Sequence, residues 1–187
     1  MINMQGLFEM FRKTDINFSL WGRGEGAPTL THLLDEINRG ECNLTSQGGQ
    51  IIRNIAIVNT AIFFFESRQL FLQSSQQNLY SFSNINITSD ASTSIRVNSG
   101  VLPCEATQKF LNTDPFNINL TPEQLISRHR TYQFIPSVEY PGIRDRIIVH
   151  RFECYLNPKQ YRPDGHLHIT SQSVSQYHWV PIPSQPV

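Results

Sequence analysis

Glu105, Glu139, Arg144, Arg146 and His150 are the residues whose types and spacing could hold a ligand. Arg144, Arg146 and Arg151 lie close together and would form an anion-binding surface if the neighbouring loop folds back. Arg144 and Arg146 could equally be solvent-facing residues that flank a turn. His150 falls on the apolar side of a strand pattern, where a histidine is more often a core residue bonded through one ring nitrogen than a catalytic base. Glu105 and Glu139 would supply carboxylates if a hydrolytic site were built around Arg144 and His150.

Other constellations are incomplete. His166-Leu167-His168, with His178 nearby, puts two imidazoles on one strand face, as metal sites in barrel folds do. No Asp or Glu follows Asp164 to complete a ligand set, so an exposed edge or loop is the competing reading and no metal ligand is assigned. His32 and Glu36 are spaced i, i+4 on a helix but lack a third ligand, and a solvated face with local ion pairs is expected there. Gly22-Arg23-Gly24-Glu25-Gly26 lacks both the preceding strand and the Lys-Ser/Thr pair of a phosphate loop, so a bend is expected. No GxSxG elbow is present. Cys104, near a helix start, would be activated by the helix N-terminus or, more commonly, be a buried small residue. No catalytic residue is assigned.

These side chains need elements to position them. Met4, Leu7, Phe8 and Phe11 have the i, i+3, i+4, i+7 spacing of one helical face. Leu30, Leu33, Leu34 and Ile37 repeat it, with Thr29 to cap, Gly40 to close, and His32, Asp35, Glu36 and Arg39 on the opposite face. Ile51 to Phe65 reads as a long central strand, and Leu70-Phe71-Leu72 as its return. Leu79 to Phe82 offers a further strand, and Ser83 to Ser99 is either a polar surface loop or ill-defined edge strands. Pro103 opens a short helix through Leu111, and Thr121-Pro122-Glu123-Gln124 signals another helix start. Strands follow at Tyr132 to Ile135 and Arg146 to Leu156, joined by a turn at Tyr140-Pro141-Gly142. Period-2 alternation places Ile148, His150, Phe152, Cys154 and Leu156 on one face. A last strand is expected at Tyr177 to Ile182. The order predicts an α+β fold with a mixed, largely antiparallel sheet packed by helices.

The bulk composition sets outer limits. With 187 residues, 39% apolar and twelve Phe, the chain is expected to be one globular domain over 1–187. Residues 1–40 form its helical N-terminal segment, 41–183 its sheet-rich core and 184–187 a tail. Lys plus Arg equal Asp plus Glu at fifteen each, which speaks against nucleic acid as a partner. Three separated cysteines support neither a disulfide framework nor a zinc ribbon. The charged N-terminus does not read as a signal peptide, and no apolar run is long enough for a membrane span, so a cytoplasmic location is expected.

Several pieces in order resemble the Nudix-like proteins known from cyanobacteria and plants. They are Leu20-Trp21-Gly22-Arg23-Gly24-Glu25, His32 through Glu41, Glu66-Ser67-Arg68-Gln69, Glu139 through Ile143, Val149-His150-Arg151-Phe152 and Tyr177-His178-Trp179-Val180. The resemblance implies an α/β/α sandwich and hydrolysis of a nucleoside diphosphate linked to another group. Its metal-binding box, G-x5-E-x7-R-E-U-x-E-E-x-G, is absent. Between Gly100 and His129 only Glu105, Asp114 and Glu123 are acidic, too few to seat a divalent ion beside a pyrophosphate. The expectation is a non-catalytic binding or regulatory module for a nucleotide-like small molecule or a protein partner, without cofactor or metal. A divergent pyrophosphohydrolase and a structural assembly partner are the alternatives.

Overall fold

Fifteen residues dominated by Ile, Val and Phe form the longest strand, β2 (Gln50–Phe64), with β1 (Asn43–Gln47) turning into it. The turn is Gly48-Gly49, with φ of 57° and 79°, the paired positive values of a two-residue hairpin that glycine adopts without strain. The computed structural model describes residues 2–12, 14–23, 27–64, 69–76, 93–113, 116–164, 166–169 and 174–181. The other elements are α1 (Met4–Phe11), α2 (Leu30–Asn38), β3 (Gln69–Gln76), β4 (Thr93–Val97), α3 (Pro103–Asn112), β5 (Leu125–Pro136), β6 (Arg144–Leu156), β7 (His166–Ile169) and β8 (Val174–Pro181). The strands form one sheet in the order β5-β6-β2-β3-β8-β7, with β1 and β4 also paired to β2. β1, β3 and β7 run antiparallel to the neighbours they pair with. The fold is α+β, as the order of elements predicts.

The chain divides into two compact units, each drawn from three stretches. The first takes Met1–Ile57, Arg96–Val101 and Arg130–Val149; the second takes Val58–Ile95, Leu102–His129 and His150–Val187. In the first unit α1 buries Leu7 and Phe11 and α2 buries Leu33, while Phe8 is left half exposed. Thr29 and His32 cap α2 reciprocally: His32 Nδ1 accepts from the Thr29 N–H at 3.0 Å and Thr29 Oγ1 from the His32 N–H at 3.4 Å. Phe11, Phe18, Trp21 and Tyr140 pack edge to face or tilted in succession. Trp21 Nε1 donates to the Pro141 carbonyl at 2.8 Å, tying this segment to the β5–β6 turn. Gly142 in that turn has φ of 93°, and a Cβ there would meet Ile16 at 3.4 Å.

The second unit has an apolar core. Ile62, Phe64, Leu111, Phe116, Ile118, Leu120, Cys154 and Leu156 are all buried together. Phe64 stacks on Tyr161 with centroids 4.0 Å apart, and Asn112 Oδ1 accepts from the Leu120 N–H at 2.6 Å where the chain leaves α3.

Several expectations need correction. Thr121 to Gln124 forms a single 3-10 turn rather than a helix, because the β-rich run Leu125–Pro136 takes over at once. β1 is too polar to register as a strand and is held by the glycine turn instead. Within the Ser83–Ser99 stretch, Thr93–Val97 is a defined strand. On β6 the buried positions are Asp145, Ile147 and Val149, then Phe152, Cys154 and Leu156, so the phase of burial changes at His150–Arg151. Ile148 and His150 are therefore only half-buried, while Phe152, Cys154 and Leu156 are buried. Leu79 to Phe82, Glu66-Ser67-Arg68, Gly24 to Gly26, Asp114 and the 184–187 tail lie outside the described residues.

Candidate functional site

Arg53 is the one charged residue in the apolar run of β2, and its alternation points it to the helix-covered side of the first unit. It is 1% exposed. A buried guanidinium is tolerable only when its donors meet charged acceptors. Here Nε and Nη2 form a fork to the two Asp145 carboxylate oxygens, both at 2.9 Å. Nη1 donates to Glu36 at 3.2 Å and Nη2 to Glu139 at 2.5 Å. The Tyr140 ring lies under the guanidinium, 4.7 Å from centroid to Cζ, and its hydroxyl donates to Glu36 at 2.9 Å. Arg96 closes the cluster with Glu41 at 3.4 Å and Glu36 at 3.9 Å.

The electrostatics follow from burial and carboxylates. Burial opposes the charge on Arg53, but the Asp145 hydrogen bonds and the surrounding carboxylates outweigh it and hold its pKa above the ordinary value. Burial, then the Glu36 carboxylate, raises the Tyr140 phenol above its usual range. The same two causes push the Cys42 thiol up to about 12, making it unreactive at neutral pH. Glu36 thus belongs to a buried network, which corrects its expected place on a solvated face. This cluster holds the unit together; its carboxylates are engaged by arginine and are not free to bind metal. Among the described residues no group of three or more His, Cys, Asp or Glu is arranged to hold a metal ion.

The other side of the same strands is different. Arg144 precedes Asp145 and so faces the opposite way, where it lines a concavity of about 390 Å³ with Gln47, Gly48, Gln50, Ile52 and Phe134. The glycine turn lets the β1–β2 tip approach without side-chain bulk, and two glutamine amides flank the opening. Phe134 is half exposed, offering an aromatic face. Arg146, two residues along β6 on the same side, is half-buried. Among the described residues neither Arg144 nor Arg146 forms an ion pair, and Arg146 Nε has no hydrogen-bond partner. A cationic guanidinium beside a flat apolar ring is chemistry suited to a ligand that is both anionic and aromatic.

Of the five sequence-predicted site residues, Glu139, Arg144 and Arg146 belong to the first unit, and Glu105 and His150 to the second. Glu139 serves Arg53. Glu105 is exposed in the first turn of α3. Cys104 is exposed as well, correcting the expectation of a buried small residue. The side chains of His166, His168 and His178 lie outside the described residues. Sequence reasoning missed Arg53 and Asp145, although a lone arginine in a strand of this apolarity signals buried carboxylate partners. It also missed Phe134 and the Gly48-Gly49 tip, whose paired glycines between polar residues mark a hairpin. No helix among the described residues is long and apolar enough to cross a membrane. No protein-family model matches the chain, and no curated protein matches it.

Proposed function

We propose that the chain is a non-catalytic binding module for a nucleotide-like ligand, built on a Nudix-like scaffold that lacks the metal box. The observation that carries this reading is the open concavity where Arg144 and Phe134 meet without a neutralising carboxylate. Arg144 would take a phosphate in a forked hydrogen bond, Phe134 would stack on the base, and Gln47 and Gln50 would meet polar base edges. The carboxylates closest in sequence to Arg144, Asp145 and Glu139, are bound to Arg53 and so unsuited to carry the divalent ion that pyrophosphate hydrolysis needs. Free thiols in Cys42, Cys104 and Cys154 fit a reducing compartment such as the cytoplasm. Assembly with a protein partner is the second reading, favoured by Phe8 and Leu20, which are about half exposed beside the aromatic cluster.

A thermal-shift series with AMP, ADP and UMP, with and without magnesium, tests the reading. A ligand at a hundredfold excess over its Kd stabilises the native state by about 2.7 kcal/mol. The expected outcome is a magnesium-independent rise in Tm without turnover, lost in Arg144→Ala. Magnesium-dependent product formation, or a rise that persists in Arg144→Ala, overturns it.

A further inference from the structure

We infer that the ligand is a short single-stranded nucleic acid, laid along β5 from the Arg144–Phe134 concavity toward Arg130. The inference rests on the nucleotide-binding reading and extends it from one base to a strand. Its basis is the exposed side of β5. Alternation puts Arg130, Tyr132 and Phe134 on one face, and all three are exposed. Tyr132 and Phe134 are each 50% exposed, which is unusual for two large aromatics in a folded strand.

Each ring sits near a cation. The Arg130 guanidinium lies 4.9 Å from the Tyr132 centroid, and Arg144 shares the concavity with Phe134. Arg146 adds a third positive charge to the same side within this unit. Asp145 and Glu139, the acidic residues closest in sequence, are turned to Arg53. Net neutrality of the whole chain therefore does not describe this stretch. Arg130, Arg144 and Arg146 form no ion pair among the described residues, whereas Arg128 further along β5 is paired with Glu153. Cations interleaved with aromatics are what sequence-tolerant single-strand binding uses.

The spacing selects the strand form. Side chains two residues apart in a strand are separated by about 7 Å, roughly twice the 3.4 Å rise per nucleotide in a duplex strand. Bases stacked on Tyr132 and Phe134 must therefore be parted from each other, which a duplex forbids and a single strand allows. β5 stands at the sheet edge, so nothing in the strand order closes off its outer side. A mononucleotide fills the Phe134 seat alone and leaves Tyr132 and Arg130 unused.

The test is fluorescence anisotropy with labelled dT10, with dTMP, duplex DNA and poly-glutamate as competitors. One additional stacked base should make dT10 bind at least about 10-fold tighter than dTMP. With some three phosphates engaged, log K should fall against log salt with a slope of about −2. Tyr132→Ala should weaken dT10 about 10-fold and leave dTMP within about twofold. Arg144→Ala should weaken both. Because Tyr132 is exposed, its variant should keep the wild-type urea midpoint, which separates a lost contact from a lost fold.

If dTMP binds and dT10 binds no tighter, the strand inference fails while the nucleotide reading stands. If neither binds, the strand inference fails, and the nucleotide reading fails with it only if AMP, ADP and UMP give no rise in Tm either. Equal competition by duplex or by poly-glutamate also overturns the inference, because the face would then read charge alone.

Discussion

The two sides of the β2–β6 strands in the first unit use arginine in opposite ways. On the helix-covered side Arg53 is saturated: Asp145, Glu36 and Glu139 occupy its donors and Tyr140 covers its face. On the other side Arg144 and Arg146 meet no carboxylate among the described residues, and Arg144 opens on a concavity with an exposed ring. Arg144 and Asp145 are adjacent in the chain, so a one-residue step separates the saturated side from the open one. Net charge cannot report this, because it sums both sides. The difference teaches that charge is segregated locally across these strands: Asp145, Glu36 and Glu139 gather around Arg53, and Arg144 and Arg146 on the other side form no ion pair among the described residues.

The largest effect that can break this comparison comes from Arg53→Met. Removing one partner of a buried ion pair strands the other, at a cost of about 3–5 kcal/mol. Here Asp145 and Glu36 would be left facing each other in a poorly solvated site. The urea midpoint should fall accordingly, while Arg144→Met, on the open side, should stay within about 0.5 kcal/mol of wild type. Equal destabilisation by the two substitutions would erase the distinction between the sides.

Tyr140→Phe sharpens it. The ring stays over the guanidinium, but Glu36 loses the hydroxyl that donates at 2.9 Å. A hydrogen bond to a charged group contributes about 1.5–3 kcal/mol, so the loss should be clear yet smaller than for Arg53→Met. An unchanged midpoint would show that the Tyr140 hydroxyl is not part of what holds Glu36 inward. The thiols give an independent readout of the same packing. Burial raises both Cys42 and Cys154 to about 12, whereas Cys104 is exposed. Native protein should react with an aromatic disulfide at Cys104 alone, and Arg53→Met should additionally release Cys42 but not Cys154, whose surroundings are apolar.

Much of this frame is legible from residue patterns. The helical stripes at Met4–Phe11 and Leu30–Asn38, the apolar run of β2 and the α+β order follow from periodicity. Arg144 and Arg146 could be singled out near a turn, with an anion-binding surface and a solvent-facing flank as equal readings. What the pattern could not yield depends on contacts far along the chain. Arg53 finds Asp145 92 residues away and Glu139 86 away, and no local period encodes that choice. Glu36 sits beside Leu33 and Ile37 at the margin of the apolar stripe, so a helical wheel puts it outside until a buried cation draws it in. The buried face of β6 changes phase at His150–Arg151, which strict alternation cannot anticipate.

Arg128 is the intermediate case, an arginine of the second unit that is exposed and yet paired. It donates to Glu153 at 2.5 Å, and Tyr155 bonds the same carboxylate. The Arg128 hydrogen bond holds the Glu153 carboxyl below its usual range, against a weaker opposing effect of burial. A carboxyl whose folded pKa is depressed adds stability above its unfolded pKa, near 4.3, and loses it as pH falls through the folded value. Wild type should therefore lose slightly more stability than Glu153→Gln between pH 6 and pH 3, in the range set by the reference glutamate pKa of about 4.3. Solvent and salt screen this pair, so the effect should be the smallest of the series and should vanish in high salt. A pH response that persists undiminished in high salt would mean that exposure does not decide what this arginine pair contributes.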